Sequence, residues 1–173
     1  MEYADFTTLP NADYPMFLIK TQGSLKSCVF LKNGRCSIHE VKPKACRLYP
    51  LGAWPNDAMN GFVYFIASQK QHHFSGPAVR VSEWVGANFS AEDRAVMLAE
   101  AQSVKELAPV IRFLKDAGVS PERVLKPLIY FKYVFFELEE PFYPQLLRNT
   151  ERLKKILLEI AEETKSHGGH HVR

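Results

Sequence analysis

The pattern of hydrophobic and polar positions changes near residue 90. Before that point, short apolar and aromatic runs at residues 15–20 and 61–67 are bounded by Pro, Asn and Gly, which is typical of β-strands. After it, apolar residues recur at three- and four-residue steps, as on one face of an α-helix. The pattern predicts an α+β fold, with an irregular N-terminal lobe of hairpins and short strands and a C-terminal bundle of about three helices.

Start and stop signals delimit the first predicted helix. Ser90 is followed by Ala-Glu-Asp, which predicts an N-cap with acidic residues in the first turn. Good helix formers continue over residues 92–108. We expect Pro109 to kink or restart this helix and Gly118 to end it.

Two further helices are predicted after Gly118. Ser120 precedes a proline at a first helical position, so a second helix should run toward residue 140, where Pro141 and Pro144 would stop it. A third helix is predicted over residues 145–165. Its apolar stripe, which should pack on a core, consists of Leu146, Leu153, Ile156, Leu157 and Ile160.

Length and patterning together give the expected domain organisation. A chain of 173 residues that is 46% hydrophobic can bury one substantial core. We expect a cysteine-bearing lobe over residues 1–89, a helical bundle packed on it over residues 90–166, and a polar tail over residues 167–173.

Charge and hydropathy exclude several classes of partner. The net charge of +3 comes from scattered residues, 22 basic and 19 acidic, which is too mild for a nucleic-acid surface. The best apolar run, residues 128–138, is interrupted by Lys132 and is too short to span a membrane. The acidic N-terminus lacks the features of a secretory signal, so a cytoplasmic location is expected.

All three cysteines, Cys28, Cys36 and Cys46, fall within residues 28–46, and His39 lies among them. An odd number of thiols in a reducing compartment disfavours a disulfide framework. Such clustering favours a metal site, for which three thiolates and one imidazole are an accepted tetrahedral zinc set. The alternative is that the cysteines pack as small hydrophobic residues.

The Asn33-Gly34 pair is the strongest hairpin signal in the chain, because a two-residue turn requires positive φ at both positions. An undistorted hairpin would place Cys28 directly opposite His39 and Cys36 on the other face. We favour a three-residue turn with a glycine bulge, which would shift the register by one residue and allow a shared site.

The residues after the hairpin predict a tight helical turn. Pro43 should begin this turn, which would return Cys46 toward the hairpin. Lys44 and Arg47 flank the thiol, so we expect positive charge to lower the thiol pKa values and favour metal-binding thiolates.

These motifs, Cys28-x-Phe-Leu, Gly-Arg-Cys36-Ser-Ile and Cys46-Arg-Leu-Tyr-Pro-Leu-Gly, resemble the YkgJ-like cysteine-cluster family of zinc- or iron-chelating domains. Similarity extends to the segment around Trp84. The resemblance implies that the three cysteines are metal ligands.

The chain departs from the family pattern in three places. It lacks the opening Cys-x-x-Cys-Cys cluster, and His39 stands where an aromatic residue usually follows Ser-Ile. His72 and His73 stand near the position of a missing Cys-Pro. The first cluster could precede this sequence, histidines could replace cysteines, or the site could have decayed. The candidate fourth ligands are therefore His39, His72 and His73.

Three functions remain open at this point. The first is a metal-binding protein with zinc favoured over an iron-sulfur cluster and with a structural role for the metal. The second, through relatives that resemble protein lysine methylases, is an iron-sulfur enzyme. The third is a metal-free scaffold that binds a protein partner, with its aromatic residues on the second helix and its exit: Tyr130, Phe131, Tyr133, Phe135, Phe136, Phe142 and Tyr143. Core packing is the favoured interpretation of those aromatic residues.

Overall fold

A computed structural model describes residues 2–9, 14–66 and 76–168 of the chain. The strands are β1 (Ala4–Thr8), β2 (Pro15–Ile19), β3 (Thr21–Gln22), β4 (Ser27–Cys28), β5 (Leu31–Lys32), β6 (Arg35–Cys36), β7 (Leu51–Pro55) and β8 (Phe62–Ile66). The helices are α1 (Lys44–Leu48), α2 (Val81–Asn88), α3 (Ala91–Asp116), α4 (Pro121–Ile129) and α5 (Phe142–Gly168). Two-stranded sheets precede packed helices, so the predicted α+β class is confirmed.

The chain divides into two compact units. The helical unit comprises Met1–Leu18 and Ala99–Arg173, and the cysteine unit comprises Ile19–Leu98. The expected boundary at residues 89 and 90 stays a prediction. Residues 169–173 of the expected tail lie outside the described residues, whereas helix α5 continues to Gly168.

The helical unit is built around one apolar core. Helices α3, α4 and α5 each contribute leucines that are almost fully buried, as the helical periodicity of the sequence predicted. Tyr14, immediately before β2, joins the same core with 2% of its surface exposed. The buried core residues are Tyr14, Leu107, Ile111, Leu114, Val124, Leu128, Leu153, Leu157, Ile160 and Ala161.

Helix α3 follows its predicted end signal but not the predicted interruption. The helix is continuous through Pro109, so it does not restart there, while the alternative expectation of a kink stays a prediction. Buried neighbours on the same helix, Leu107 and Ile111, hold the turn against the core although proline removes one backbone hydrogen bond. Gly118 has a φ of +73°, and Val119 N–H donates to Leu114 O at 3.0 Å, which closes the helix as predicted.

The second helix is shorter than predicted. Helix α4 passes into a π-helical turn (Tyr130–Val134), and the chain then leaves the helix well before residue 140. The buried Gln145 of α5 explains the early end, because its amide accepts from Glu137 N–H and donates to Glu137 O. These side-chain bonds replace the helical bonds that the backbone gives up.

Helix α5 begins earlier than predicted, at Phe142 rather than residue 145. Pro144 therefore lies in the first turn of the helix, where the missing N–H needs no partner. The predicted apolar stripe is confirmed, since Leu146, Leu153 and Leu157 are 0–1% exposed.

The aromatic residues near the second helix are divided between the core and the surface. Phe131 packs against the helical core, as predicted. Tyr130 and Tyr133, in contrast, are 45% and 41% exposed, and the Tyr130 ring stacks on Phe135 at 5.1 Å. None of the helices in the described part of the chain has the length and apolarity needed to cross a membrane.

The cysteine unit has a smaller core beside the β7–β8 hairpin. The buried residues Leu48, Ala53, Val85 and Phe89 come from α1, β7, α2 and the residue after α2. Phe62 of β8 packs on Phe89 with ring centroids 5.1 Å apart. At Gly52, an added Cβ would collide with the exposed ring of Phe65, which would have to move away, so glycine lets this ring pack closely on the backbone.

One part of the cysteine unit, residues 20–47, is described throughout by the structure and has no core of its own. We call residues 20–47 the cysteine segment. Within it no residue is buried, and its strands β3 to β6 are two residues long each. Isolated hairpins of this size are not stable in water by themselves.

Candidate metal centre

The Asn33-Gly34 turn forms as the sequence predicted. Both residues have positive φ, +50° and +74°, and the flanking strands pair Lys32 with Arg35 and Leu31 with Cys36. This is the undistorted two-residue hairpin. The glycine bulge that we favoured, with its one-residue shift of register, is therefore wrong.

The hairpin is too short to bring Cys28 opposite His39. Cys28 instead pairs with Thr21 in a separate β3–β4 hairpin, whose loop includes Gly23 at a φ of +69°. His39 is exposed and lies in a one-turn 3₁₀ helix, His39–Val41. The extended pairing assumed from the sequence fails because the chain turns at both ends of the short ladder.

Cys46 lies on the short helix α1, and the predicted turn after Pro43 is confirmed. Cys46 N–H donates to Pro43 O at 2.9 Å, within the first turn. At the other end of α1, Leu48 is buried, and its carbonyl accepts from the Trp84 indole N–H at 2.9 Å. These contacts attach the helix that carries Cys46 to the small core of the cysteine unit.

Arg47 does not act on the thiols as we expected. Its guanidinium donates to Asp93 Oδ1 at 2.6 Å, at the start of α3. Asp93 also forms a reciprocal cap with Ser90: Asp93 N–H donates to Ser90 Oγ and Ser90 N–H donates to Asp93 Oδ2, both at 3.0 Å. The charge of Arg47 is thus neutralised by a carboxylate and serves to fix α1.

The three thiols lie close enough to influence one another. Burial raises the pKa of the Cys46 thiol, and the charges of Cys28 and Cys36 raise it further, against the opposing effect of Lys42. The expectation of a lowered pKa is therefore wrong for Cys46.

Gln22 contacts this region in a way that the sequence gave no sign of. Its side-chain Nε2 donates to Cys28 O and to Leu31 O, each at 3.2 Å. Leu31 is the residue paired with Cys36, so one amide connects the two hairpins that carry cysteines. In the sequence, Gly23 indicates a turn. Nothing in the sequence indicates which carbonyl groups the neighbouring Gln22 side chain contacts.

The described donors by themselves do not form a complete coordination shell. Within residues 2–9, 14–66 and 76–168, no group of three or more His, Cys, Asp or Glu side chains is arranged so that it could hold a metal ion. Cys28 and Cys36 are half-buried and Cys46 is exposed. His72 and His73 lie outside the described residues, and their role as ligands stays a prediction.

Residues 2–71 match one family model, described as "CxxCxxCC: Putative zinc- or iron-chelating domain". The matched range contains the two hairpins, helix α1 and all three cysteines. Over this part, the chain is similar to that family of zinc- or iron-chelating domains, which confirms the resemblance noted in the sequence. No curated protein and no solved structure shows significant similarity to the chain.

Proposed function

We propose that this protein binds one zinc ion through Cys28, Cys36 and Cys46 and that the metal has a structural role. The observation that supports this most directly is the absence of any buried residue in the cysteine segment, which the structure describes throughout. All three thiols of the chain lie in this segment. Where apolar burial cannot hold a fold, a bound metal can supply the missing free energy.

The donor set favours zinc over an iron-sulfur cluster. Iron-sulfur clusters are held by four cysteine thiolates, and this chain has three cysteines in all. Zinc accepts three thiolates and one imidazole in tetrahedral geometry. We propose His39, His72 or His73 as the fourth ligand. A cytoplasmic location, which we propose as well, would keep the thiols reduced.

Metal analysis of the purified protein tests this proposal. The protein is prepared without oxygen and without a histidine tag, and its metal content is measured beside its visible spectrum. We expect a colourless protein with about one zinc per chain, because zinc has no d–d transitions. The Cys36→Ser variant should lose the zinc, whereas the neighbouring Ser37→Ala variant, a matched control, should retain it.

The same preparation separates the alternatives. Iron with sulfide and visible absorption would replace the zinc proposal by the iron-sulfur enzyme related to protein lysine methylases. A folded protein that binds neither metal would leave the protein-interaction scaffold. That scaffold is favoured by one observation, the exposed aromatic side chains Tyr130, Tyr133 and Phe135, which are 37–45% exposed.

Single substitutions of the histidines identify the fourth ligand. His39→Ala, His72→Ala and His73→Ala are each compared for zinc affinity in a competition with a chromophoric chelator. One of them should weaken zinc binding much more than the other two. Equal affinities in all three would show that no histidine completes the site.

A further inference from the structure

We propose that the outer edge of strand β8 is a docking site for an extended peptide segment of a partner, which adds a third strand to the β7–β8 hairpin and places a carboxylate beside Arg94. The site lies in the part of the cysteine unit that has a core, and none of the three cysteines belongs to that core. The inference goes beyond the proposed function and does not depend on a bound metal.

Strand β8 is an edge strand without the usual protection. Among the residues that the structure describes, its only ladder partner is β7. Its sequence, Phe-Val-Tyr-Phe-Ile, contains no charged residue, proline or glycine. Natural edge strands commonly carry charges or proline, or are covered, because an unpaired edge accepts another strand. The neighbouring strand β7, in contrast, contains Gly52 and ends at Pro55, so β8 is the edge that suits an added strand.

The face of the hairpin that points away from the core is apolar and exposed. Val63 and Phe65 of β8 are 56% and 50% exposed, and Trp54, opposite Val63, is 60% exposed. Because side chains alternate along a strand, these three lie on the same face. The solvent face of an antiparallel sheet is normally polar. A further strand beside β8 would cover part of this apolar face.

Arg94 supplies a positive charge near the other face of β8. Its guanidinium carbon lies 5.4 Å from the centroid of the Phe89 ring. The same ring meets Phe62 and Tyr64 of β8 edge to face, with centroids 5.1 and 6.5 Å away. Nε of Arg94 is buried without a hydrogen-bond partner, and within the described part of the chain no carboxylate pairs with this guanidinium. A carboxylate is the strongest partner for such a group.

The geometry of a β-sheet connects the unpaired edge with this arginine. A strand added to β8 would lie about 4.8 Å from it, and every second side chain would stand on the face of Phe62 and Tyr64. An aspartate or glutamate there would approach Arg94, while the alternate residues would pack beside Val63. Main-chain hydrogen bonds would supply affinity, and the carboxylate would supply specificity.

Charge complementarity selects a partner peptide over two other occupants. Residues 67–75, which follow β8 in the chain, contain no Asp or Glu. The β8 strand of a second copy offers no carboxylate either, since its five residues are all aromatic or aliphatic. Neither strand would neutralise Arg94, whereas an apolar peptide with an acidic residue would satisfy both the edge and the guanidinium.

Peptide selection tests the site. Random nonapeptides displayed on phage are selected against the full-length protein, and the tightest binders are synthesised and measured by calorimetry. We expect β-branched or aromatic residues at alternate positions, with an Asp or Glu between them. Methylation of each peptide nitrogen in turn should weaken binding at every second residue, because alternate N–H groups of an added strand face β8. Failure to select such peptides, or the absence of this two-residue period, would overturn the proposal.

The carboxylate contact is tested by a double-mutant cycle with Arg94→Gln. This variant should bind an acidic peptide about 10- to 100-fold more weakly, the loss expected for charge-assisted hydrogen bonds. The same peptide with its acid replaced by the amide should bind both proteins equally. Arg80→Gln, which changes an exposed arginine next to α2, is the matched control and should stay within about twofold of wild type. Equal losses for the acidic and the amide peptide would overturn the role of Arg94.

Hydrogen exchange of β8 separates the three occupants. In the dilute protein, alternate amides of β8 should exchange rapidly, because they face away from β7, and the peptide should slow them at least about tenfold. Slow exchange of every β8 amide in the dilute protein without peptide would assign the edge to another segment of this chain. Slow exchange that appears only as the protein concentration rises would assign it to a second copy. Either result would overturn the proposal of a partner peptide.

Discussion

The two units of this protein reach an ordered structure by different means. In the helical unit, long helices bury leucines that are 0–1% exposed, such as Leu114, Leu128 and Leu157. In the cysteine segment, which the structure describes throughout, no residue is buried and the strands are two residues long. The helical unit is held by apolar burial, while the cysteine segment depends on turns, hydrogen bonds and, in our proposal, a metal ion.

The comparison shows what each kind of stabilisation demands from the sequence. A fold held by apolar burial tolerates conservative substitutions, because many hydrophobic residues each contribute a part of the free energy of folding. A segment without a core depends on a few groups, so single residues such as Gln22 and Arg47 become important. The following predictions test this difference.

The largest effect is expected from metal removal. When a strong chelator strips the zinc-loaded protein, amides of residues 20–47 should exchange at least about 100-fold faster, because binding of a structural metal supplies folding free energy. Amides of helix α5 should keep their exchange rates. Hydrogen exchange with mass spectrometry measures both regions together. Equal acceleration in α5 would show that the two regions do not differ in this way.

A cavity in the helical core should lower the stability of the helical unit and leave zinc binding unchanged. Leu157→Ala is expected to lower the free energy of unfolding by about 3 kcal/mol, because Leu157 is 0% exposed and its loss leaves a cavity. The neighbouring Leu158, 42% exposed, provides the control, and Leu158→Ala should cost less than about 0.5 kcal/mol. Denaturant titration measures both. A loss of bound zinc in Leu157→Ala under native conditions would contradict the separation.

The helical unit also contains one buried charge whose partner can be removed. Lys132 Nζ, on a side chain only 1% exposed, lies 2.8 Å from Glu100 Oε1 and 3.4 Å from Ser103 Oγ. Glu100→Ala leaves this charge buried without its counter-ion and should destabilise the protein by about 2 kcal/mol.

Lys132→Met is the matched variant for this pair, because it removes the buried charge and keeps the volume. It should be less destabilising than Glu100→Ala, or neutral, since the half-exposed Glu100 remains in contact with water. Chemical denaturation ranks the two variants. If Lys132→Met lowered the free energy of unfolding more than Glu100→Ala, the ion pair would stabilise the fold by more than the desolvation of its charges costs.

The smallest effect concerns the attachment of α1. Burial raises the pKa of Asp93, but hydrogen bonds from Ser90 and Arg47 outweigh it and hold this pKa below its ordinary value. The charged carboxylate therefore stabilises the fold above about pH 4, and this stabilisation is lost as the pH falls through the folded pKa.

Arg47→Ala should accordingly cost about 1 kcal/mol at neutral pH, since Arg47 is partly exposed, and the difference from wild type should shrink in acid. Unfolding measured from pH 7 to pH 3 follows this trend. Lys126→Ala, which removes a more exposed pair with Glu122, is the control and should change little. A constant difference at all pH values would exclude the ion pair as the cause.

Prediction from sequence succeeded where local chemistry decides the structure. The Asn33-Gly34 turn, the cap at Ser90 and the helix end at Gly118 all formed where the residues indicated. Each depends on a conformation or bond within a few residues of the signal. The apolar stripe of α5 was equally clear, because periodicity is a property of the chain itself.

Prediction failed where distant residues compete for the same groups. The second helix ended early because Gln145 bonds the backbone after it, and Arg47 was drawn away from the thiols by Asp93. Cys28 did not pair with His39 because both lie beyond the short β5–β6 ladder, Cys28 on β4 of a separate hairpin and His39 in a 3₁₀ turn. Local sequence patterns cannot predict these contacts, because the partners lie on other secondary-structure elements.

The sequence by itself determined the fold class, the turns and caps and the apolar faces of the helices. It also contains the three clustered thiols within residues 2–71, the range that is similar to zinc- or iron-chelating domains. Only the tertiary structure decided which groups meet. It showed that Gln22 connects the strands of Cys28 and Cys36 and that Arg47 pairs with Asp93. The physical reason is range: propensities and periodicity act over a few residues, whereas hydrogen bonds and ion pairs between elements depend on how the whole chain packs.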